Sequence, residues 1–154
     1  MKWADPLGLE VRKLNAEERA RVDSVIRALQ NSGVPSLSRL GGQLGTRMYY
    51  MDTNPEQSAE TAEYGYVYGG VGRIIYLTPN AFLGANRRDV QGNYFSLILL
   101  EIMIHEDMHL RYDFDGWRWF WDPKWDITHE VIDDLMKHII DVLDDACARA
   151  RSKK

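Results

Sequence analysis

The residues with the clearest chemical potential lie in the pentapeptide HEDMH, residues 105–109, at the end of the most apolar run of the chain. His105 and His109 are four residues apart, so on a helix their rings share one face, one turn apart. The apolar residues before them also recur at helical spacing: Leu97, Leu100, Ile104 and Met108. This pattern predicts a largely buried helix from Asn93 to about Arg111, which argues against a merely solvated polar stripe.

Two histidine rings on one helical face can bind a single metal ion, and Glu106 can reach a water molecule held by that ion. The metal lowers the pKa of this water to about 7, and the glutamate takes its proton and passes it on. This is the H-E-x-x-H arrangement of zinc metallopeptidases. We therefore expect one Zn²⁺ ion bound by His105 and His109, with Glu106 as the catalytic base.

The start of the last predicted helix offers a third ligand. Within HEVIDD, residues 129–134, Glu130 and Asp134 are four apart and share one helical face. Together with HEDMH, this segment resembles the gluzincin branch of the zincins, over about residues 64–150. The resemblance implies that Glu130 is the third zinc ligand. It also implies that Asp134 accepts the other ring N–H of His105 and so fixes the tautomer of that ring.

The same acidic residues have a simpler explanation. Acids in the first turn of a helix interact favourably with the helix dipole, and a charged stripe along a helix is typical of a solvated face. Other residues near the motif also carry suitable ligand atoms, and they remain alternatives to Glu130: His129, Asp133, Asp113 and Asp115.

The resemblance implies two further parts of the site. Zincins often use a tyrosine or histidine beyond the motif to stabilise the oxyanion, and Tyr112 is the nearest candidate, although it would equally suit a core. They also place an edge strand beside the cleft. The strand with Ile74, Ile75 and Tyr76 is expected to bind an extended substrate there through main-chain hydrogen bonds. An ordinary interior strand is the alternative.

The elements that must position this site can be predicted from local patterns. Asn15 and Glu18 resemble a capping box and begin a helix over 15–32, whereas 34–45 is rich in glycine and serine and predicts a loop with at most one short turn of helix. Strands are predicted at 46–53, 64–69 and 72–78, and a polar loop at 54–63. Three alternating tryptophans predict an extended segment: Trp117, Trp119 and Trp121. A final helix over 127–150 has this predicted apolar face: Val131, Ile132, Leu135, Ile139, Leu143 and Ala146.

Together with the resemblance, these elements predict a small α+β, zincin-like domain. It has an N-terminal helix, a short and mostly antiparallel sheet, the active-site helix and a C-terminal helix. No long lobe follows the last helix, so residues 110–126 must form the lower wall of the cleft if there is one.

A separate motif stands at residues 5–9, DPLGL. It resembles the D-P-x-G-L signature that closes the β-shell of Rhs or YD-repeat proteins, although Asp-Pro and Gly also suit a plain turn. The resemblance implies that residues 1–9 are the end of such a core, that the core cuts itself after Leu9, and that residues 10–154 are its toxin domain. It further implies a bacterial effector exported by a contact-dependent or type VI route, with a cognate immunity protein as partner.

Composition limits the other partners. The net charge is −4, and the acids concentrate late in the chain, which disfavours nucleic acid. The longest mostly apolar run, 97–104, is too short to cross a membrane, and the first residues do not form a signal peptide. Cys147, the single cysteine, is expected to be an inert core thiol. We therefore expect a protein substrate in the cytoplasm of a target cell.

Three other functions fit part of the pattern. A metal-binding domain with a purely binding role would keep the histidines but would not need Glu106. A deformylase-like amide hydrolase would need an upstream cysteine ligand, whereas Cys147 lies downstream. A nuclease toxin would favour basic neighbours around the histidines, and the neighbours here are acidic.

Overall fold

The computed structural model describes residues 3–4, 10–53, 64–67, 73–83, 86–112 and 125–153, except for the side chains of residues 3–4, 10, 66, 86, 112 and 125–129. In this part of the chain the protein is an α+β domain, as predicted. Its helices are α1 (Ala16–Gln30), α2 (Pro35–Gly45), α3 (Leu97–Tyr112) and α4 (Trp125–Ser152). Its strands are β1 (Trp3–Ala4), β2 (Glu10–Lys13), β3 (Met48–Asp52), β4 (Gly65–Tyr66), β5 (Ile74–Leu77), β6 (Asn86–Arg88) and β7 (Tyr94–Ser96).

The strands form two sheets. The larger sheet has the order β1-β2-β3-β5-β4, and its strand pairs are antiparallel except for β3 and β5, which are parallel. The smaller sheet is an antiparallel pair of β6 and β7 with Arg87 opposite Phe95. The predicted short, mostly antiparallel sheet is therefore confirmed. The predicted helix from Asn93 begins later, at Leu97, because residues 94–96 pair as β7.

The start of α1 is fixed by its predicted capping box. The Asn15 side chain accepts a hydrogen bond from the Glu18 backbone N–H at 2.8 Å, and the Asn15 backbone N–H donates to the Glu18 carboxylate at 2.9 Å. Arg12 of β2 adds two hydrogen bonds to the same carboxylate, at 2.7 and 2.8 Å. These bonds hold the pKa of Glu18 below its ordinary value and join the sheet to the first helix.

The predicted loop over 34–45 is wrong, because this segment forms α2. Pro35 occupies the first turn, where its missing N–H costs no hydrogen bond. Leu37, Leu40 and Leu44 are buried at helical spacing. Gly41 lies on the side that packs against α1, where a β-carbon would come within 2.9 Å of Gln30 Cγ. The glycine therefore permits close packing of two helices and does not mark a loop.

Helix α3 is central to the domain, since it contacts the other three helices and strands of both sheets. Four of its apolar side chains are completely buried: Leu99, Leu100, Met103 and Ile104. The Ser96 hydroxyl accepts a hydrogen bond from the Leu99 backbone N–H at 3.3 Å where the helix begins. The apolar run before HEDMH thus forms the core of the domain and holds the motif in a fixed place. In the described part of the chain, no helix combines the length and the apolar character that a membrane crossing requires.

The last helix, predicted over 127–150, is confirmed as α4, and four residues of its predicted apolar face are buried or half-buried: Ile132, Ile139, Leu143 and Ala146. The other two, Val131 and Leu135, are exposed, at 51% and 43%. Met136, Ile140 and Cys147, which the predicted face did not include, also belong to the side that packs on the core. Cys147 is a core thiol, as predicted, and burial raises its pKa.

Candidate metal centre

The rings of His105 and His109 converge on α3. Their Nε2 atoms lie 3.1 Å apart, and the ring centroids lie 4.7 Å apart with the planes at 66°. At this distance one Nε2–H can donate to the other nitrogen, or both nitrogens can bind one ion. Two nitrogens bound to one tetrahedral Zn²⁺ at about 2.0–2.1 Å are separated by about 3.3 Å. The observed pair therefore needs almost no rearrangement to hold zinc.

Burial of the pair favours a defined ligand geometry. His109 is 5% exposed, whereas the side chain of His105 is 19% exposed and lies at the edge of the site. Such packing restricts the ring rotamers and leaves less conformational entropy to lose when a metal binds. A site of this kind is largely formed before an ion arrives.

Glu106 is placed beside the histidines by helix geometry and is only 6% exposed. A carboxylate in this position can accept a proton from a water molecule held between the two rings. The structure thus brings together the three motif residues predicted to carry the chemistry.

The carboxylate that lies against His105 belongs to Asp133. Its Oδ1 atom is 3.5 Å from His105 Nδ1, the ring nitrogen that does not face His109. A carboxylate at the outer nitrogen of a metal-binding histidine orients the ring and fixes its tautomer. The gluzincin resemblance implied this role for Asp134, which lies one residue further along α4.

The structure does not bring the predicted third ligand to the histidines. Glu130 is exposed, and among the residues whose side chains are described no three His, Cys, Asp or Glu groups lie close enough together to hold a metal ion. The side chains of Tyr112 and His129 lie outside the described set, as do Asp113 and Asp115, so their predicted roles have no structural outcome here. His138 is exposed, two turns beyond Glu130 on α4.

Sequence reasoning missed an ion cluster behind the motif. Asp107 is completely buried and accepts a hydrogen bond from Arg47 Nε at 2.8 Å, and Arg111 Nε lies 2.8 Å from its other oxygen. Asp107 is two residues after His105, so helix geometry turns it about 200° away from the side that carries His105. The cluster ties α3 to the junction of α2 and β3. Asp107 itself was the signal in the sequence for this cluster, because it lies in the most apolar helix and a buried carboxylate requires a partner.

Two other charged groups lie along α3 and α4. Glu101 is one turn before His105 on the same helical face and half-buried, and burial raises its pKa while Arg87 opposes this. Arg87 of β6 also contacts Asp144 of α4 at 2.8 Å in an exposed ion pair. This pair links the far end of α4 to the hairpin that precedes α3.

Ile74, Ile75 and Tyr76, predicted as an edge strand, belong to β5. This strand pairs with β3 on one side from Ile74 to Leu77 and with β4 on the other at Tyr76 and Leu77, so Tyr76 is interior, contrary to the prediction. In the described part of the sheet the edge is β4, where Gly65 lies opposite Leu77 and Tyr66 opposite Tyr76. A β-carbon on Gly65 would lie 2.7 Å from the Tyr76 carbonyl oxygen and 3.3 Å from Ile102 of α3, so β4 runs close beside α3.

Several predictions fall on residues outside the described set. They are the DPLGL motif at 5–9 with its cleavage point after Leu9, the polar loop at 54–63, and the tryptophan-rich segment with Trp117, Trp119 and Trp121. Comparisons of the chain with models of known protein families, with curated proteins and with solved structures find no match.

Proposed function

We propose that the protein is a zinc-dependent endopeptidase. The observation that carries the proposal is the pair of Nε2 atoms 3.1 Å apart on one buried helix, with Glu106 beside them. Two converging imidazoles supply two of the three protein ligands of a catalytic zinc ion, and the adjacent carboxylate supplies the base that activates its water for hydrolysis of an amide bond. A purely structural metal site does not require the buried glutamate.

Each residue of the proposed site has a separate role in the reaction. His105 and His109 hold the ion, which when bound polarises the scissile carbonyl and lowers the pKa of a water molecule. Glu106 accepts a proton from the attacking water and delivers it to the leaving amine nitrogen. Asp133 orients His105 through Nδ1. The third ligand comes from the first turns of α4, and Tyr112 is the candidate stabiliser of the oxyanion.

The biological setting of this peptidase is proposed from the sequence motif at 5–9. DPLGL supports a toxin domain, residues 10–154, released after Leu9 from an Rhs shell. Such an effector would cleave a protein in the cytoplasm of a competing cell. Its producer would need an immunity protein, because an active protease also threatens the cell that makes it.

The Glu106→Gln variant tests the catalytic proposal. The substitution keeps the size of the side chain and the two histidines, so we expect one equivalent of zinc to remain bound while protein cleavage and toxicity are lost. Cleavage is measured by mapping new protein N-termini in cells that make either form of the chain. Asp141→Asn, an exposed change on α4, is the matched control. Full toxicity of a zinc-loaded Glu106→Gln chain would refute the peptidase and favour a binding role.

A further inference from the structure

A half-buried strip runs along α3 from the histidine pair back towards the start of the helix. It consists of four residues at helical spacing on one side of α3: Ile98, Glu101, Ile102 and His105. Two other elements border this strip. A β-carbon on Gly65 of β4 would lie 3.3 Å from Ile102 Cγ1, and Asp133 of α4 lies 3.5 Å from His105 Nδ1. The strip therefore lies between β4 and α4 and leads to the two histidines.

Glu101 places a carboxylate within this strip, four residues before His105. Helix rise puts it about 6 Å from His105 along the axis and about 9 Å from the middle of the histidine pair. An extended peptide advances about 3.3 Å per residue. A substrate chain that lies along the strip, with its scissile bond at the histidines, thus brings a side chain within three residues of that bond to Glu101.

The charge of Glu101 is only partly compensated by the protein. Burial raises the pKa of Glu101, and the opposing effect of Arg87 is smaller. Arg87 is itself bound through Nη1 to both carboxylate oxygens of Asp144, at 2.8 and 3.0 Å. A carboxylate that has lost part of its hydration without full compensation is stabilised when a cationic ligand approaches.

The surroundings of the strip also favour a basic ligand. Asp133, whose side chain is 61% exposed, adds a second carboxylate beside His105. Arg47 and Arg111 contact Asp107 on the side of α3 that is turned away from His105. Ile98 and Ile102 offer apolar surface next to Glu101. The long side chains of lysine and arginine suit such a place, because they pack their aliphatic stems on apolar surface and keep the charged end at a polar group.

We propose that Glu101 is a specificity-determining residue that binds a lysine or arginine of the substrate within three residues of the scissile bond. This inference rests on the proposed peptidase function and names its substrate class as basic segments of proteins. Glu101 takes no part in the bond-breaking step. Its carboxylate accepts hydrogen bonds from the cationic side chain and so fixes which peptide bond lies at the histidines.

A digest of random-sequence decapeptides by the purified, zinc-loaded chain tests the specificity. The new termini are read by mass spectrometry, and we expect lysine and arginine to be enriched within three residues of the cut. Glu101→Gln keeps the size of the side chain and should remove the enrichment, whereas Glu101→Lys should replace it by enrichment of aspartate and glutamate. Asp145→Asn, an exposed change on α4, is the matched control and should keep the wild-type pattern.

A matched pair of peptides separates binding of the charge from a structural effect. One peptide contains lysine at the enriched position, and the other contains acetyl-lysine, which removes the charge. The wild type should prefer the lysine peptide by about tenfold in kcat/KM, the size expected for one hydrogen bond to a charged group. Glu101→Gln should cleave both peptides with similar kcat/KM, whereas a purely structural defect would lower both values and leave their ratio unchanged.

The possible failures of the two proposals differ. Cleavage without enrichment of basic residues, or an equal preference for lysine in the wild type and Glu101→Gln, would overturn the role of Glu101 and leave the peptidase in place. If the zinc-loaded wild type cleaved neither the peptides nor any cellular protein, the peptidase itself would be refuted, and the role of Glu101 with it.

Discussion

Arg47 Nε lies 2.8 Å from Asp107 Oδ1, on the side of α3 that faces away from His105. Asp107 has no exposed side-chain surface, and the side chain of Arg47 is 9% exposed. The pair therefore fixes the rotation of α3 about its own axis, because a turn of the helix would separate two buried charges. His105 and His109 are thus held in place by a contact on the opposite side of the same helix.

Asp107→Asn should destabilise the fold by about 3 kcal/mol, since it leaves Arg47 buried without its counter-charge. The free energy of unfolding is measured by denaturant titration of the metal-free chain. Asp144→Asn removes the exposed ion pair with Arg87, whose side chains are 43% and 48% exposed, and should cost less than about 1 kcal/mol. Equal costs for the two substitutions would show that the Arg47–Asp107 pair does not hold the helix.

Removal of zinc should lower the melting temperature of the wild-type chain. An ion that binds only the folded state stabilises it by about 2.7 kcal/mol when its free concentration is 100 times its dissociation constant. His109→Ala should abolish the effect of a chelator on melting, whereas the exposed His138→Ala should retain it. Calorimetric melting with and without chelator gives the comparison. A chelator response that survives in His109→Ala would place the ion elsewhere.

The motif and the long elements were predictable because each is encoded locally. The capping box at Asn15 and the spacing of His105 and His109 depend only on residues within one turn of helix. Interior β5 was not predictable in the same way, since the position of a strand in a sheet depends on segments distant in sequence. Gly65 allows β4 to pass close to α3 and so to cover β5.

Asp134 was predicted as the partner of His105 from the family resemblance, whereas the carboxylate that lies against His105 is that of Asp133. The sequence reading counted Val131 and Leu135 in the apolar face, but both are exposed. A shift of one residue turns a helix by about 100°, which is enough to exchange Asp134 for Asp133. Aliphatic residues occur often on protein surfaces, so an apolar type alone does not fix which side of a helix is buried.

Two glycines of α2 allow the effect of close helix packing on stability to be separated from the effect of helix propensity. Gly41 and Gly42 are adjacent in the helix but differ in their surroundings. A β-carbon on Gly41 would lie 3.1 Å from the Ile26 carbonyl oxygen and 3.2 Å from Leu29 Cβ. A β-carbon on Gly42 would meet nothing within 4 Å. Gly42→Ala should therefore stabilise the chain by about 0.5–1 kcal/mol. Gly41→Ala should destabilise it, because α1 must move away. Urea titrations of both variants check the signs, and a stabilising Gly41→Ala would contradict the close packing.

The contact between Arg12 and Glu18 should make stability depend on pH in the acidic range. Hydrogen bonds from Arg12, and then one from the Asn15 backbone, hold the pKa of the folded-state Glu18 below its ordinary value. Since the pKa of Glu18 is lower in the folded state, the carboxylate contributes its full stabilisation of the fold above the unfolded-state pKa of about 4.3. This stabilisation is lost as the pH falls through the folded-state pKa, because protonation of the Glu18 carboxylate weakens both hydrogen bonds from Arg12.

Glu18→Gln isolates this charge, because glutamine can still complete the capping box. We expect the variant to be less stable than the wild type by about 1 kcal/mol at neutral pH, given that both side chains are largely but not fully shielded from water. The difference should shrink as the pH is lowered below about 4.3 and disappear in strong acid. Glu17→Gln removes the same charge from an exposed neighbouring position and controls for net charge. A difference that grows on acidification would reverse the assigned sign and refute the role of Arg12.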